Sequence, residues 1–290
     1  MGAEKIWSAA ASKTRSAMRE HRSLRRWLSR LNGMIFLLLL AITTEGLAQA
    51  TTDAAIDSVG ELIKAYPAFL DRSENNDLIL KDGTRMRIDD GKSGKSFELL
   101  LDDPDIKDMF VMKYPLGEKG VPPEINSDPG RVRYSPLFRK MYGNCRTDNF
   151  MANAGTVRWL PTKNGKNLKF TNINGASAKL QKVSDELDKL PDRFLQYLQP
   201  TQGTYNCRSI AESKRQSPHS FGIALDIAAA HSHYWLWSKP NPDGRIPYKN
   251  EIPLEIVHIF EQHGFIWGGK WYHYDTMHFE YRPEMITIAK

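Results

Sequence analysis

A single carboxylate interrupts an otherwise apolar segment, and this limits how the chain can fold around it. Asp226 lies within the run Ile-Ala-Leu-Asp-Ile-Ala. Successive side chains of a strand point to opposite faces, so Ala224 and Asp226 share one face and Leu225 and Ile227 the other. Burying a lone carboxylate is costly, and a cation beside it removes that cost. His219, in a polar turn before the strand, is close enough in sequence to share such a cation.

A second segment near the C terminus carries the remaining polar groups of a predicted metal site. Residues 267–280 read Trp-Gly-Gly-Lys-Trp-Tyr-His-Tyr-Asp-Thr-Met-His-Phe-Glu. In an extended strand His278 and Glu280 share a face. A hydrolytic zinc site needs three nitrogen or oxygen ligands and one open position, and His219, Asp226 and His278 supply that set. The alternative is an ordinary core, in which Asp226 and His278 bond to the backbone.

Hydrolysis at such a site also needs a proton acceptor. Zinc lowers the pKa of water towards neutrality, and a nearby carboxylate then takes the proton. Asp275 comes shortly before His278 in the chain and is the predicted general base.

The two segments resemble the zinc peptidases of bacterial cell walls. The resemblance rests on Ser-x-His-x-x-Gly-x-Ala-x-Asp over residues 217–226, then Trp-Gly-Gly, then Asp-x-x-His-Phe-Glu over residues 275–280. This family groups D-alanyl-D-alanine carboxypeptidases and dipeptidases with L-alanyl-D-glutamate endopeptidases, and the similarity spans roughly residues 155–285. The resemblance implies a Zn²⁺ cofactor and these ligands and base: His219, Asp226, His278 and Asp275.

The same family has an arginine on a strand shortly before the first metal ligand. The run Gly-Thr-Tyr-Asn-Cys-Arg, ending at Arg208, matches that position. The resemblance implies that Arg208 stabilises the oxyanion of a tetrahedral intermediate, where a fixed charge favours the transition state. A surface salt bridge is the alternative for Arg208. Arg215, in the loop before His219, is a weaker candidate for holding a substrate carboxylate.

The motifs leave the scissile bond open. Dipeptidase members usually carry Glu at the position of Asp275, so Asp and the Trp-Gly-Gly-x-Trp run are more similar to the endopeptidase branch. The predicted function is hydrolysis of peptidoglycan stem peptides by an L-alanyl-D-glutamate-type endopeptidase, with a D-alanyl-D-alanine carboxypeptidase as the alternative. A rival of another class is a non-catalytic, zinc-stabilised module that binds cell wall or a partner. Asp275 argues against that rival, because a structural metal site needs no base.

The chain departs from the family in an insertion over residues 229–252, which is rich in His, Trp and Pro. Its aromatic residues either line a groove for a peptide or simply pack together. His231 and His233 match no family ligand and are left out of the metal site. His273 shares a face with Asp275 if the segment is extended, and is expected to orient the base or the substrate.

The first fifty residues predict an export signal. A basic stretch ends at Arg30, residues 34–42 are apolar, and Ala-Gln-Ala at residues 48–50 provides a cleavage site. The apolar run is too short to span a bilayer comfortably. The prediction is a signal peptide over residues 1–50 and a periplasmic or extracellular protein without a stable membrane span, and the alternative is a retained signal anchor.

The formal net charge of +6 does not indicate binding to nucleic acid. Most of the excess lies in residues 1–50, which leaves residues 51–290 nearly neutral, without a general attraction to a phosphate backbone. In an exported protein Cys145 and Cys207 can form one disulfide, and the alternative is two buried thiols.

Helical and extended patterns segregate along the chain. They predict an α+β fold with a central antiparallel sheet flanked by helices, a single zinc site and an additional N-terminal region. We expect that region, of unknown role, over residues 51–150 and a zinc peptidase domain over residues 151–290. The predicted elements are strands at 169–171, 204–210, 222–228 and 277–281, a hairpin at 78–88 turning at Asp82-Gly83, and helices at 54–70, at 178–190 capped by Ser177, and from Pro253 to Gly264.

Overall fold

The computed structural model describes residues 58–117, 122–210, 213 and 215–289. These residues belong to one compact unit that begins at Ala55. The predicted signal peptide lies outside the described residues. Within them, no helix combines the length and the apolar character needed to cross a bilayer.

Helices and antiparallel sheets make up the described part of the chain, so the predicted α+β class is confirmed. The strands are Leu70–Glu74 (β1), Asp77–Leu80 (β2), Arg85–Arg87 (β3), Ala154–Arg158 (β4), Asn167–Thr171 (β5), Thr201–Gly203 (β6), Ala224–Ala228 (β7), Phe265–Trp267 (β8) and His278–Tyr281 (β9). The helices are residues 58–65 (α1), Phe97–Asp102 (α2), Ser135–Tyr142 (α3), Ala176–Leu187 (α4), Leu195–Leu198 (α5), Leu254–Gln262 (α6) and Pro283–Ala289 (α7).

The strands pair antiparallel in three sheets, with the orders β1-β2-β3, β4-β5 and β6-β7-β9-β8. The four-stranded sheet separates the apolar core from the polar residues of the predicted site. Leu225 and Phe279 are buried on its core face, and Phe279 stacks on Phe260 of α6 with ring centroids 3.8 Å apart. Burial of such side chains is the main stabilising contribution of this layer. Asp226 and His278 alternate with them and therefore face the other way.

The predicted strand over residues 204–210 is wrong. β6 ends at Gly203, and the Asn206 amide then donates to the carbonyl of His219 at 3.2 Å rather than to a neighbouring strand. A strand-like run of residues does not reveal that a nearby turn will accept the hydrogen bonds of its backbone amides. The pattern alone therefore predicts a strand that does not form. Arg208 consequently lies on a loop beside the turn that carries His219.

The strand β7 begins two residues later than predicted because of Gly222. This glycine has φ of +66° and ends the short 3-10 turn Pro218–Phe221. A Cβ atom at this position would collide with the ring of Phe150. Both the backbone conformation and the close approach of the ring therefore favour glycine here.

The predicted cap of the helix over residues 178–190 also needs correction. α4 begins at Ala176 after Gly175, and it ends at Leu187. The Ser177 hydroxyl donates to Asn172 Oδ1 at 2.5 Å instead of capping the helix. The hairpin near residue 82, the strands near residues 169 and 278, and the helix after Pro253 are confirmed to within a few residues.

A disulfide joins Cys145 to Cys207, with Cα atoms 5.7 Å apart. This decides the two open alternatives in favour of the disulfide. The bond fastens the segment after α3 to the loop that carries Arg208. Residues 58–150 and 151–289 lie in the same compact unit, and their division into a region and a domain stays a prediction.

Candidate metal centre and active site

The three predicted metal ligands come together on the polar face of the four-stranded sheet. His219 lies in the turn before β7, and Asp226 and His278 are register partners on β7 and β9. His219 Nε2 is 3.2 Å from Asp226 Oδ2, and His278 Nδ1 is 2.9 Å from Asp226 Oδ1. One potential ligand atom of each residue lies within 4.8 Å of the others.

Neighbouring acceptors orient both imidazoles towards Asp226. The carbonyl oxygen of Thr204 is 2.6 Å from His219 Nδ1, which assigns the proton to Nδ1 and a lone pair to Nε2. That Nε2 is buried and makes no hydrogen bond with any described residue. On the far side of His278, Glu280 Oε2 is 3.6 Å from Nε2. An unsatisfied buried nitrogen beside a carboxylate and a second imidazole fits a zinc ion, because two histidines and one aspartate are a zinc donor set.

The three side chains influence one another electrostatically. Burial favours a higher pKa for Asp226, but the close His219 imidazole and the hydrogen bond with His278 hold its pKa well below the usual range. Burial likewise opposes protonation of His278, but its hydrogen bonds with Asp226 and Glu280 outweigh this and raise its pKa to about 10. A divalent cation that binds here must therefore displace a proton from His278.

Asp275 lies beside these three residues, at the start of the segment that leads into β9. It lines the same pocket as His219, Asp226 and His278. Burial and the neighbouring Asp226 carboxylate raise the pKa of Asp275 to about 6. Its Oδ1 is buried and has no hydrogen-bond partner among the described residues. A carboxylate with a pKa near neutrality is suited to accept and release a proton.

Arg208 and Arg215 occupy different cavities. Arg208 is an exposed residue that lines the pocket of Asp275, and its Nη1 donates only to the carbonyl of Ser209 at 3.4 Å. The surface salt bridge considered as its alternative is not formed with any described residue. Arg215 lines an adjoining cavity instead, with Nε 3.5 Å from Asp102 Oδ1. Its guanidinium faces Asp102 in that second cavity.

Three residues of the loop before α3 line or support the pocket and were missed by sequence reasoning. Arg131 and Arg133 line its wall. Asp128 accepts a hydrogen bond from the His273 amide at 3.0 Å and lies 2.8 Å from His273 Nδ1. The available signal was the run Arg-Val-Arg, which puts both arginines on one face of an extended chain. Nothing in that run shows which part of the protein the face meets.

The aromatic insertion over residues 229–252 forms another wall. Tyr234 lines the pocket and forms an isolated β-bridge with Asp275. The Trp235 ring packs edge-on against His273, with centroids 4.8 Å apart. Both expectations for the insertion therefore hold in part, since Tyr234 lines the cleft and Trp235 packs against His273.

Two other clusters lie apart from the pocket. His231 and His233 contact the same carboxylate, Glu251, at 3.1 and 3.0 Å. Asp90 belongs to a group of acidic residues near β3 whose carboxylates lie close enough to one another to hold a cation. Lys95 Nζ already lies 3.1 Å from Asp90, so an ammonium group supplies the positive charge there.

The fold and the site define a class, an α+β protein in which two histidines and an aspartate meet beside a carboxylate, as in zinc hydrolases. Residues 211–281 match the family model described as D-alanyl-D-alanine carboxypeptidase, about a quarter of the chain. The predicted resemblance to the zinc D-Ala-D-Ala carboxypeptidase-like family is confirmed for this segment, which supports a peptidase of the class that acts on peptidoglycan. No curated protein and no solved structure matches the chain.

Proposed function

We propose that this protein is an exported zinc peptidase that cleaves peptidoglycan stem peptides as an L-alanyl-D-glutamate-type endopeptidase. The observation that carries the proposal is the convergence of three potential zinc ligands and one unpaired carboxylate in a single pocket: His219, Asp226, His278 and Asp275. A purely structural metal site needs only its ligands. A buried carboxylate with a pKa near neutrality beside those ligands favours hydrolysis.

Asp275 moves the proton in the proposed reaction. Zinc held by the three ligands supplies a Lewis acid that polarises the scissile carbonyl and lowers the pKa of water. Asp275 takes the proton of the attacking water and later passes it to the nitrogen of the leaving amine. Burial keeps the proton affinity of this carboxylate high enough to serve both steps.

Arg208 is the proposed oxyanion-stabilising residue, and the structure restrains its backbone. Ser220, the neighbour of His219, accepts a hydrogen bond from the Arg208 amide at 3.0 Å and donates to the Arg208 carbonyl at 2.7 Å. The Cys207 disulfide holds the preceding residue. Since no described carboxylate pairs with it, the guanidinium is available to neutralise negative charge that develops on a substrate.

The shape of the cleft favours an endopeptidase over a carboxypeptidase. Arg133 lines both the pocket and a second cavity of about 1030 Å³, so the two lie on either side of this residue. This second cavity lies between α2, α3 and the segment around Arg215. A peptide that continues beyond the scissile bond finds room there, whereas a terminal D-Ala does not need it.

Export is proposed from the N-terminal signal pattern, and the disulfide supports it. Disulfides persist in oxidising compartments and are rare in reducing ones. The Cys145–Cys207 bond is thus expected in a periplasmic or extracellular protein.

The test is incubation of the zinc-loaded protein with bacterial sacculi, followed by mass spectrometry of the released peptides. A new amino terminus at D-Glu supports the endopeptidase, and release of free D-Ala identifies the carboxypeptidase instead. Stoichiometric zinc without any product points to the non-catalytic module. As the control, Asp275→Asn is expected to keep zinc and lose about 10²- to 10⁴-fold in turnover. Near-wild-type turnover of this variant would contradict the proposed base.

A further inference from the structure

Arg131 brings a mostly unsatisfied guanidinium into the pocket from outside the segment that the family model matches. Its Nη1 donates to Asp128 Oδ2 at 2.8 Å, the one hydrogen bond that the guanidinium makes with a described residue. The guanidinium lies over the ring of Trp271, with Cζ 5.5 Å from the ring centroid. An arginine has five N–H donors in a planar fork, so most of them remain available to a ligand.

The position of Arg131 is close to the proposed reaction centre. The Trp271 ring that it covers is itself 5.6 Å from the His278 imidazole, measured between centroids. The charge of Arg131 is also near enough to Asp275 to favour the ionised form of that carboxylate and lower its pKa. An extended peptide advances about 3.3–3.6 Å per residue. Arg131 is therefore within reach of a substrate residue that flanks the scissile bond.

The charges around Arg131 leave its positive charge only partly compensated. Asp128 is shared, because it also binds the amide and the ring of His273. Arg133 is directed to the buried Glu280 at 3.2 Å. Arg208 has no carboxylate partner among the described residues. A ligand carboxylate on this side of the pocket contacts guanidinium groups, which bind carboxylates through paired, charge-assisted hydrogen bonds.

We propose that Arg131 is a specificity residue that binds a free α-carboxylate on the substrate residue at the amine side of the scissile bond. The inference rests on the proposed function and names its substrate more closely. A γ-linked D-glutamyl residue has a free α-carboxylate although the peptide continues through its side chain. Such a residue uses both features of the cleft, the guanidinium of Arg131 and the cavity beyond Arg133. A stem peptide whose α-carboxyl is amidated lacks the charge and is a poor substrate.

The first test compares two synthetic peptides, L-Ala-γ-D-Glu-L-Lys with a free α-carboxyl group and the same peptide with an α-carboxamide. The wild-type protein is expected to show a kcat/KM about 10- to 100-fold higher for the free acid, as for loss of a charge-assisted hydrogen bond. Arg131→Gln removes that preference by lowering kcat/KM for the acid alone. Arg131→Lys keeps the charge without the planar fork and gives an intermediate preference. Arg72→Gln is the matched control, since Arg72 is exposed on β1, paired with Asp71 and Glu74.

The second test measures binding separately from turnover. Titration calorimetry of both peptides into zinc-loaded Asp275→Asn protein is expected to show the same preference for the acid, and Arg131→Gln in that background abolishes it. Hydrolysis of both peptides at equal rates by the wild type overturns the role of Arg131 and leaves the peptidase intact. An equal loss of kcat/KM on both peptides in Arg131→Gln has the same consequence, because it indicates a general structural effect. Preferential binding of the acid without any hydrolysis supports Arg131 and rejects the proposed function.

Discussion

Asp128 and His273 are 145 positions apart in the chain, yet the Asp128 carboxylate accepts a hydrogen bond from the His273 amide at 3.0 Å and lies 2.8 Å from His273 Nδ1. Asp128 is completely buried. Burial alone would raise its pKa, but the hydrogen bond with His273 and the charge of Arg131 keep that pKa below its ordinary value. The loop before α3 thus holds the segment that carries Asp275 in place.

Asp128→Asn is expected to weaken both stability and catalysis. The neutral asparagine amide cannot compensate the positive charge of Arg131. Its NH₂ group also places one buried hydrogen-bond donor against another. We expect the free energy of unfolding to fall by about 1–3 kcal/mol and kcat/KM to fall with it. Urea unfolding and peptide hydrolysis at neutral pH measure the two effects. The matched control is Asp192→Asn, whose exposed pair with Lys163 is expected to contribute little, and equal behaviour of both variants would reject the role of Asp128.

Zinc binding is expected to release a proton. His278 has a pKa of about 10 because of Asp226 and Glu280, so at pH 7 it is protonated and must lose that proton to become a ligand. Calorimetry in two buffers of different ionisation enthalpy should show about one proton released for each zinc bound at neutral pH. Heats of binding that do not depend on the buffer would contradict this charge state.

The ligand assignment has its own test in thermal unfolding. Zinc that binds the folded protein stabilises it by about 2.7 kcal/mol at a free concentration of 100 times Kd, which raises Tm. His219→Ala should lose this response, because its Nε2 is one of the three converging atoms. His263→Gln removes an imidazole directly after α6 that pairs with Glu186, and it should respond like the wild type. A normal zinc response of His219→Ala would exclude it as a ligand.

The sequence predicts that His219, Asp226 and His278 lie together, because the geometry of this cluster is mostly local. Asp226 and His278 stand in short strands with a clear period of two, and antiparallel pairing then makes them neighbours. The turn that carries His219 directly precedes β7, so chain continuity brings it to the same place. Each of these steps depends on strand alternation, strand pairing or chain continuity, all of which can be read from the sequence.

The rest of the pocket depends on contacts between distant segments, and the pattern does not specify them. Arg131 and Asp128 come from a loop without a recognisable period, and only tertiary packing brings Asp128 to His273 and Arg131 to Trp271. The strand β1 and the helices α2, α3 and α7 were missed because they are short or lack a strong apolar repeat. Arg208 was expected on a strand, but the turn at His219 provides the backbone hydrogen bonds that a neighbouring strand would otherwise make.

Removal of the disulfide is expected to destabilise the protein and to loosen Arg208. The Cys145–Cys207 bond closes a loop with a sequence separation of 62, for which loss of chain entropy in the unfolded state gives about 4 kcal/mol. The double variant Cys145→Ser/Cys207→Ser should unfold at a lower urea concentration and show a reduced kcat. A reductant should weaken the wild type and leave the double variant unchanged. Equal stability of the reduced and oxidised wild type would contradict the structural role of the bond.

Stability at acid pH should depend on Glu280. This carboxylate is completely buried, with Arg133 and Arg282 each 3.2 Å away. Burial would raise its pKa, but the two arginines and His278 lower it from the ordinary 4.5 to about 2. Between these values the unfolded chain binds a proton that the folded protein does not, so stability falls as the pH drops from about 4.5 towards 2.

Glu280→Gln should therefore change how unfolding depends on pH. The depressed pKa corresponds to a contribution on the order of 3 kcal/mol, present above pH 4.5 and lost by about pH 2. The variant should be less stable at pH 7, because two buried arginines lose their shared counter-charge. Its free energy of unfolding should also decline less steeply than that of the wild type between pH 5 and pH 3, measured by urea unfolding. Glu255→Gln, at an exposed position of α6, is the control, and a slope for Glu280→Gln equal to that of this control would show that Glu280 titrates normally.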